Sequence, residues 1–458
     1  MLLKKLAALF MVAALPSWSP VARATDVFRL EGIGAVSRSM GGTAVAYDVG
    51  PGGMLTNPST LSLSQSDRQV LLGFDVVSTD ISVENRRTGE VADSDVHNNN
   101  RGPYLAPTAA FTQRLGDLVM GIGAFAQGGL GTEYGRHSFL SRGTGGANTG
   151  LENSSRLLVL DIPLAASYRM TDALTVGASL DVMWQGLNLD LLLGADQAGS
   201  LISTGRATGT LVPALGAIPG LQGAHFSLTK NQPIGSGVDA WGYAGRLGML
   251  YQLSPATRLG ASYTFKSQMD DMEGDATLTA VSGVAGQIGL PGEIRIKDFR
   301  MPAKLDIGLS QRVTPQWTIA MDISRVFWKD VMKDIKVGFD ADAGGNLDVV
   351  LPQNYRDQTI VALGTSYTLS REWTVRAGLR LATQALRDDT LFAVVPATPT
   401  KHLSFGFSYT TSPRGRIDFA YSHALLEKMS NSSTPNTSEP IRVKHSQNNA
   451  TLNYIFAF

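Results

Sequence analysis

From about residue 70 to the end of the chain, apolar and polar residues alternate with a period of two. Leu403, Phe405, Phe407 and Tyr409 fall on one parity, and Ser404, Gly406, Ser408 and Thr410 on the other. Trp317, Ile319, Met321 and Ile323 stand against Thr318, Ala320, Asp322 and Ser324 in the same way. Trp241, Tyr243, Leu247, Met249 and Tyr251 oppose Ala240, Gly242, Ala244, Arg246 and Gly248. Successive side chains of a strand point to opposite faces, so each stretch predicts a strand with one greasy and one small or polar face. Fourteen such strands are predicted: 70–84, 104–115, 118–132, 156–169, 174–193, 238–253, 257–271, 293–312, 316–337, 354–369, 372–384, 401–411, 415–428 and 443–458.

The connections alternate between short and long. The short ones carry turn residues, as in Gly116-Asp117, Thr171-Asp172, Ser254-Pro255, Thr314-Pro315, Ser370-Arg371 and Ser412-Pro413-Arg414-Gly415. The long ones fall at 85–103, 133–155, 194–237, 272–292, 338–353, 385–400 and 429–442. In a soluble sandwich the greasy faces would look inward. Aromatics recurring near strand ends, with short turns on one side and long loops on the other, fit a transmembrane antiparallel β-barrel instead. The last strand alternates Tyr454, Phe456 and Phe458 with Asn453, Ile455 and Ala457. It is expected to close the barrel on the first strand, since an open edge is not tolerated in lipid.

The start of the chain agrees with this placement. Lys4 and Lys5 precede an apolar stretch at 6–15, and Ala22-Arg23-Ala24 has the small-x-small pattern of a signal-peptidase site. That stretch is too short for a spanning helix, which needs roughly 20 apolar residues. Residues 1–24 are therefore predicted to be a signal peptide and Thr25 the first mature residue, with the bacterial outer membrane as destination. The chain has no cysteine, hence neither a disulfide framework nor a lipidation site. Its 39 basic and 39 acidic residues cancel, so no long-range field favours nucleic acid.

Residues 25–69 do not alternate. Phe28, Leu30, Ile33, Val36, Met40, Val45, Met54 and Leu55 are too apolar for a disordered tail. A barrel lumen is the nearest place to bury them, which predicts an N-terminal plug, with the barrel occupying 70–458. The order Phe28, Gly32-Ile33-Gly34, Ser39-Met40-Gly41-Gly42, Ala46, Asp48 and Asn57-Pro58 resembles the N-terminal hatch of the FadL/TodX family of outer-membrane transporters. The similarity continues through Met301-Pro302-Ala303-Lys304, Gly308, Pro315-Gln316-Trp317, Trp328, Val395-Pro396 and Asp418-Phe419-Ala420-Tyr421-Ser422, so it covers nearly the whole mature chain. Ser59 departs mildly from the family's usual Ala after Asn-Pro. The resemblance implies a fourteen-stranded barrel and passive transport of hydrophobic molecules, with long-chain fatty acids as first choice and aromatic hydrocarbons or oxidised lipids as alternatives.

A greasy solute gains roughly 0.8 kcal/mol per methylene on leaving water, so such a transporter needs apolar surface along its route. Leu201, Leu211, Leu215, Leu221 and Phe226 in loop 194–237, with Leu278 and Val281 in loop 272–292, are candidates for capture outside. The same residues also suit packing against one another. Gly128, Gly129 and Gly131 follow Phe125 within one strand, where glycines weaken pairing or mark a bend. The resemblance implies a kink there and a lateral opening in the wall; ordinary barrel glycines are the other reading. Arg246, Arg376 and Arg380 are candidates to hold a carboxylate head group, since a guanidinium fork matches that anion. Inward charges commonly find acidic partners instead.

An enzyme is not expected. Ser422-His423 and His137-Ser138 are adjacent on strand or loop, so neither pair makes a nucleophile and its base. No cofactor and no metal are predicted, although Asp270, Asp271, Glu273 and Asp275 form an acidic run that could bridge to lipopolysaccharide cations. The expected partners are outer-membrane lipid and lipopolysaccharide, a hydrophobic small molecule, and the barrel-assembly machinery that reads an aromatic C-terminal strand. The protein is expected to be a monomer.

Overall fold

The computed structural model describes residues 27–95, 103–228 and 237–458. The expected signal peptide at 1–24 lies outside the described residues. The alternation read from the sequence becomes a wall with its greasy face outward. On the strand Lys401–Ser412, Leu403 and Phe405 are 51% and 55% exposed while Ser404 and Ser408 are buried. On Ile441–Ala457, Leu452, Tyr454 and Phe456 are exposed and Asn449, Thr451 and Asn453 are buried. Apolar outside and polar inside reverses the order of a soluble protein and suits a barrel in lipid.

The sheet is antiparallel throughout and closes on itself. Arg68–Asn85 pairs with Ile441–Ala457 from Gln69↔Ala457 to Asn85↔Ile441, and on its other edge with Tyr104–Leu115. Phe458 completes the seam: its amide donates to the Arg68 carbonyl at 3.0 Å, and its carbonyl accepts from the Arg68 amide at 3.1 Å.

The expected count of fourteen holds only for the ring of strands that closes on itself and is corrected for the sheet as a whole, which among the described residues contains 22 strands. Segments read as loops are largely sheet: Leu221–Leu228, Met272–Ser282, Gly286–Lys297, Asp334–Ala341 and Asn346–Pro352 extend the wall at the long-loop end. Stretches read as single strands are divided, 257–271 into Thr257–Thr264 and Gln268–Met269, and 316–337 into Trp317–Val326 and Asp334–Ala341. The physical reason is that period two reports only a pleated strand with two unlike faces. It does not distinguish a strand facing lipid from one that folds over the rim and faces protein.

Those rim strands bury a large apolar core that includes Phe226, Leu228, Ile294, Ile296, Val337, Phe339, Val349 and Leu351. Loop 194–237 also contains two helices, Ala195–Ser203 and Leu211–Gly216. Beneath this core lie residues 27–64, which form the helix Gly34–Ser39 and the 3-10 turns Gly50–Leu55 and Pro58–Leu63.

Candidate functional site

The N-terminal segment touches inward side chains from strands on every side of the wall. Buried Arg38 donates to Asp75 at 2.6 Å and to Thr451 at 2.7 Å, and its Nε lies 3.2 Å from Glu31. Glu31 in turn accepts from Ser422 and, at 3.0 Å, from Asn449. Across the lumen, Asp322 accepts from the amides of Ala44 (2.7 Å) and Val45 (3.1 Å), and Ser404 accepts from the amide of Gly41 at 3.0 Å. Asn57 donates to the carbonyls of Val45 (2.7 Å) and Met249 (3.1 Å), and Pro58 opens the following turn. Gly41 and Gly42 have φ of +70° and +90°, and a Cβ on Gly42 would overlap the Glu31 carbonyl oxygen. Only glycine meets both demands there.

Two cavities meet at residues 27–31. The first, about 50 Å³, lies under the rim and presents no polar surface; Phe28, Leu157, Leu191, Phe226, Phe299 and Val337 are among its lining residues. The Phe28 ring stands edge-on to Trp328 at 5.5 Å and tilted against Phe299 at 5.9 Å and Tyr355 at 6.4 Å. The second cavity, about 440 Å³, is lined by Val27, Arg29, Leu30 and Glu31 on one side. It is also lined by residues of both faces of the wall. Leu105 is 67% and Trp241 51% exposed on the outside, whereas His445 is 6% exposed on the inside.

That second cavity passes through a break in the wall. The ladder between Tyr104–Leu115 and Leu118–Glu133 ends at Thr108↔Phe125. Beyond it, residues 104–107 follow Arg68–Asn85, while 126–133 follow Ser154–Arg169 across a register shift between Ala126 and Gly128. The two strands diverge, and the exposed strand edge is partly taken by the N-terminal segment. Leu30 N donates to Gln127 O at 3.0 Å and Gly129 N to Phe28 O at 2.8 Å. Gly128, Gly129 and Gly131 all line the gap. A Cβ at these positions would overlap, respectively, the Phe28 carbonyl, the Leu157 carbonyl and the Tyr104 ring. Close approach of backbone on both sides is therefore what the glycines permit.

The structure redistributes the other candidates. Leu201, Phe226, Leu278 and Val281 are buried rather than displayed, and Leu211, Leu215 and Leu221 are half-buried, the first two against the rim core. Arg246 is enclosed between Asp181 (2.7 Å) and Asp161 (3.1 Å). Arg376 donates to Ser408 at 2.7 Å, and Arg380 reaches the Gly41 carbonyl at 3.5 Å. None of the three arginines lines either cavity. The charged and imidazole groups that do are Arg29, Glu31, Arg156, His402 and His445, and the Arg156 guanidinium lies 5.9 Å from the Tyr104 ring centre. No local pattern marks them, because they converge from separate strands and from the N-terminal segment.

Elsewhere, Ser422 and His423 bond on opposite faces, to Glu31 and Asn448. His137 sits near Asn148 at 3.2 Å. In the acidic run, Glu273 pairs with Arg295.

A closed lipid-facing barrel with apolar cavities inside is the architecture of an outer-membrane transporter of hydrophobic compounds. The comparisons agree. The chain belongs to the outer membrane protein transport protein family (OMPP1/FadL/TodX), whose model matches residues 13–458. The toluene transporter TodX of Pseudomonas putida is 43% identical with a TM-score of 0.85, over 94% of this chain and 99% of that one. The toluene transporter TbuX of Ralstonia pickettii is 44% identical with a TM-score of 0.80, over 94% and 99%. The long-chain fatty acid transport protein of Escherichia coli is 24% identical over 291 residues, spanning 60% of each chain. These relatives are transporters, not enzymes.

Proposed function

We propose that the protein carries monoaromatic hydrocarbons from the outer face into the apolar cavity beside Phe28 and out sideways between residues 104–107 and 126–132. The observation that carries this reading is the break in the wall, filled by a cavity that reaches from the lumen to the lipid side. In this reading residues 25–69 act as a hatch, and the segment 27–31 is the partition between capture and exit. Its backbone occupies the open strand edge while the Phe28 ring lies in the apolar cavity.

Polarity favours an uncharged ring over a fatty acid. The inner cavity offers no polar surface, and Arg246, Arg376 and Arg380 are each engaged elsewhere. An ionised carboxylate buried without a partner is strongly disfavoured. The identity to the two toluene transporters, 43% and 44%, also supports the aromatic reading. Long-chain fatty acid transport is the second reading, favoured by Arg29 and Arg156 at the larger cavity.

The test is uptake of labelled toluene and labelled oleate by cells producing the protein, against cells with an empty vector. Toluene uptake above background with oleate unchanged is the expected result. Oleate uptake without toluene uptake would reverse the assignment.

A further inference from the structure

Four basic side chains share the outer face of three neighbouring strands at the long-loop end: Lys401, Lys428, Arg442 and Lys444. Lys428 and Lys444 are directly opposite each other in the ladder of Gly415–Asn431 with Ile441–Ala457, and Arg442 lies opposite Ser430 just beyond. Lys401 begins the adjoining strand Lys401–Ser412, on the same parity as the exposed Leu403 and Phe405. Like charges placed directly opposite destabilise a strand pair, so this arrangement is unfavourable unless an anion joins it.

The carboxylates on this face lie to one side of the patch: Glu84 is 3.5 Å from Arg442 and 3.3 Å from Lys444, Asp80 accepts from Ser446 at 3.5 Å, and Asp93 lies opposite Ser82 one strand further on. Lys401 and Lys428 form no ion pair among the described residues. Elsewhere at this end Lys297 pairs with Asp348 at 2.8 Å, Arg325 with Asp357 at 3.4 Å, and Asp298 with both Lys336 at 2.9 Å and Arg300 at 3.1 Å.

Its height is informative. With a rise of roughly 3.4 Å per residue and a strand tilt of about 40°, Lys444 stands about 30 Å above Phe456 along the barrel axis. The apolar band of such barrels is about 25 Å tall, so Lys444 and its neighbour Lys428 sit just above it, at the level of the outer-leaflet head groups, with Lys401 about three residues lower in the ladder.

We propose that this face is a binding site for lipopolysaccharide, held through its phosphate groups by Lys401, Lys428, Arg442 and Lys444. The phosphates relieve the repulsion between Lys428 and Lys444, and Arg442 adds a guanidinium suited to a phosphate oxygen pair. Only Arg68–Asn85 separates Ile441–Ala457 from the strand that borders the wall opening. The bound glycolipid therefore orders the leaflet close to that opening.

The experiment compares purified wild-type protein with Lys428→Ala/Lys444→Ala and with Lys428→Arg/Lys444→Arg by native mass spectrometry. The probes are intact lipopolysaccharide, the same lipid stripped of its phosphates, and phosphatidylglycerol. Removal of two cations at a charged lipid surface is expected to weaken retention of intact lipopolysaccharide about thirtyfold. The double arginine variant should retain it, and the dephosphorylated lipid should bind wild type as weakly as intact lipid binds the alanine variant. Equal retention by wild type and alanine variant overturns the site, as does equal binding of phosphorylated and dephosphorylated lipid or a preference for phosphatidylglycerol. Heat-dependent electrophoretic mobility reports whether each variant is a folded barrel. None of these residues lines a cavity, so the result is independent of which hydrophobic solute the protein carries.

Discussion

The carbonyl oxygen of Phe28 accepts a 2.8 Å hydrogen bond from the amide of Gly129, joining the N-terminal segment to the strand edge that the wall leaves unpaired. The same residue places its ring 5.5 Å from Trp328 in the apolar cavity. One residue thus caps part of the open strand edge with its backbone and occupies the apolar cavity with its side chain. Motion of residues 27–31 would free both at once.

Gly128→Val/Gly129→Val is expected to abolish uptake of toluene in a barrel that still folds. A side chain at 128 displaces the Phe28 backbone from the strand edge and one at 129 presses on the Leu157 carbonyl, whereas the ladder from Thr108↔Phe125 to Leu115↔Leu118 is untouched. Transport at the wild-type rate by a folded variant would remove the break from the route.

Phe28→Ala should loosen the segment, since truncating a buried phenylalanine costs about 3–5 kcal/mol. The space vacated among Trp328, Phe299 and Tyr355 is aromatic in shape and lining. Added toluene is therefore expected to restore protease resistance near residue 30 in this variant. Cleavage that toluene does not slow would argue against an aromatic site there.

Arg38→Met leaves Glu31 and Asp75 buried without their cation, a loss of about 3–5 kcal/mol in the docking of the segment. Limited proteolysis of the folded barrel should then cut within residues 27–64. Adding Glu31→Gln and Asp75→Asn to the same chain is expected to recover part of the protection.

Acid should act through Glu31. Burial pushes this carboxyl up, but Arg38, His402 and hydrogen bonds from Ser422 and Asn449 more than reverse the effect and bring it to about 2, from 4.5. A depressed carboxylate contributes stability in full above the unfolded value and loses it as pH falls toward the folded one. Docking of the segment, followed by Trp fluorescence, should hold steady down to about pH 5 and weaken from there toward pH 2. In Glu31→Gln the part of that weakening due to Glu31 should be missing; identical profiles would exclude this carboxyl as the titrating group.

Much of the wall was legible in the chain itself. Alternation such as Leu403, Phe405 and Phe407 against Ser404, Gly406 and Ser408 is a local property, because a strand turns each successive side chain to the opposite face. Export, closure by the strand ending at Phe458 and an inserted apolar N-terminal segment followed from equally local patterns. Tertiary structure decided the rest. It showed that Met272–Ser282 and Gly286–Lys297 fold over as rim strands, which period two alone does not separate from wall. It enclosed Arg246 between Asp161 and Asp181 from two other strands, and turned Leu201 and Phe226 into core. It also brought Phe28 to Gly129, a contact between distant parts of the chain. Such partners are chosen by strand register and by the packing of the lumen, and these depend on the whole closed sheet rather than on any stretch of sequence within it.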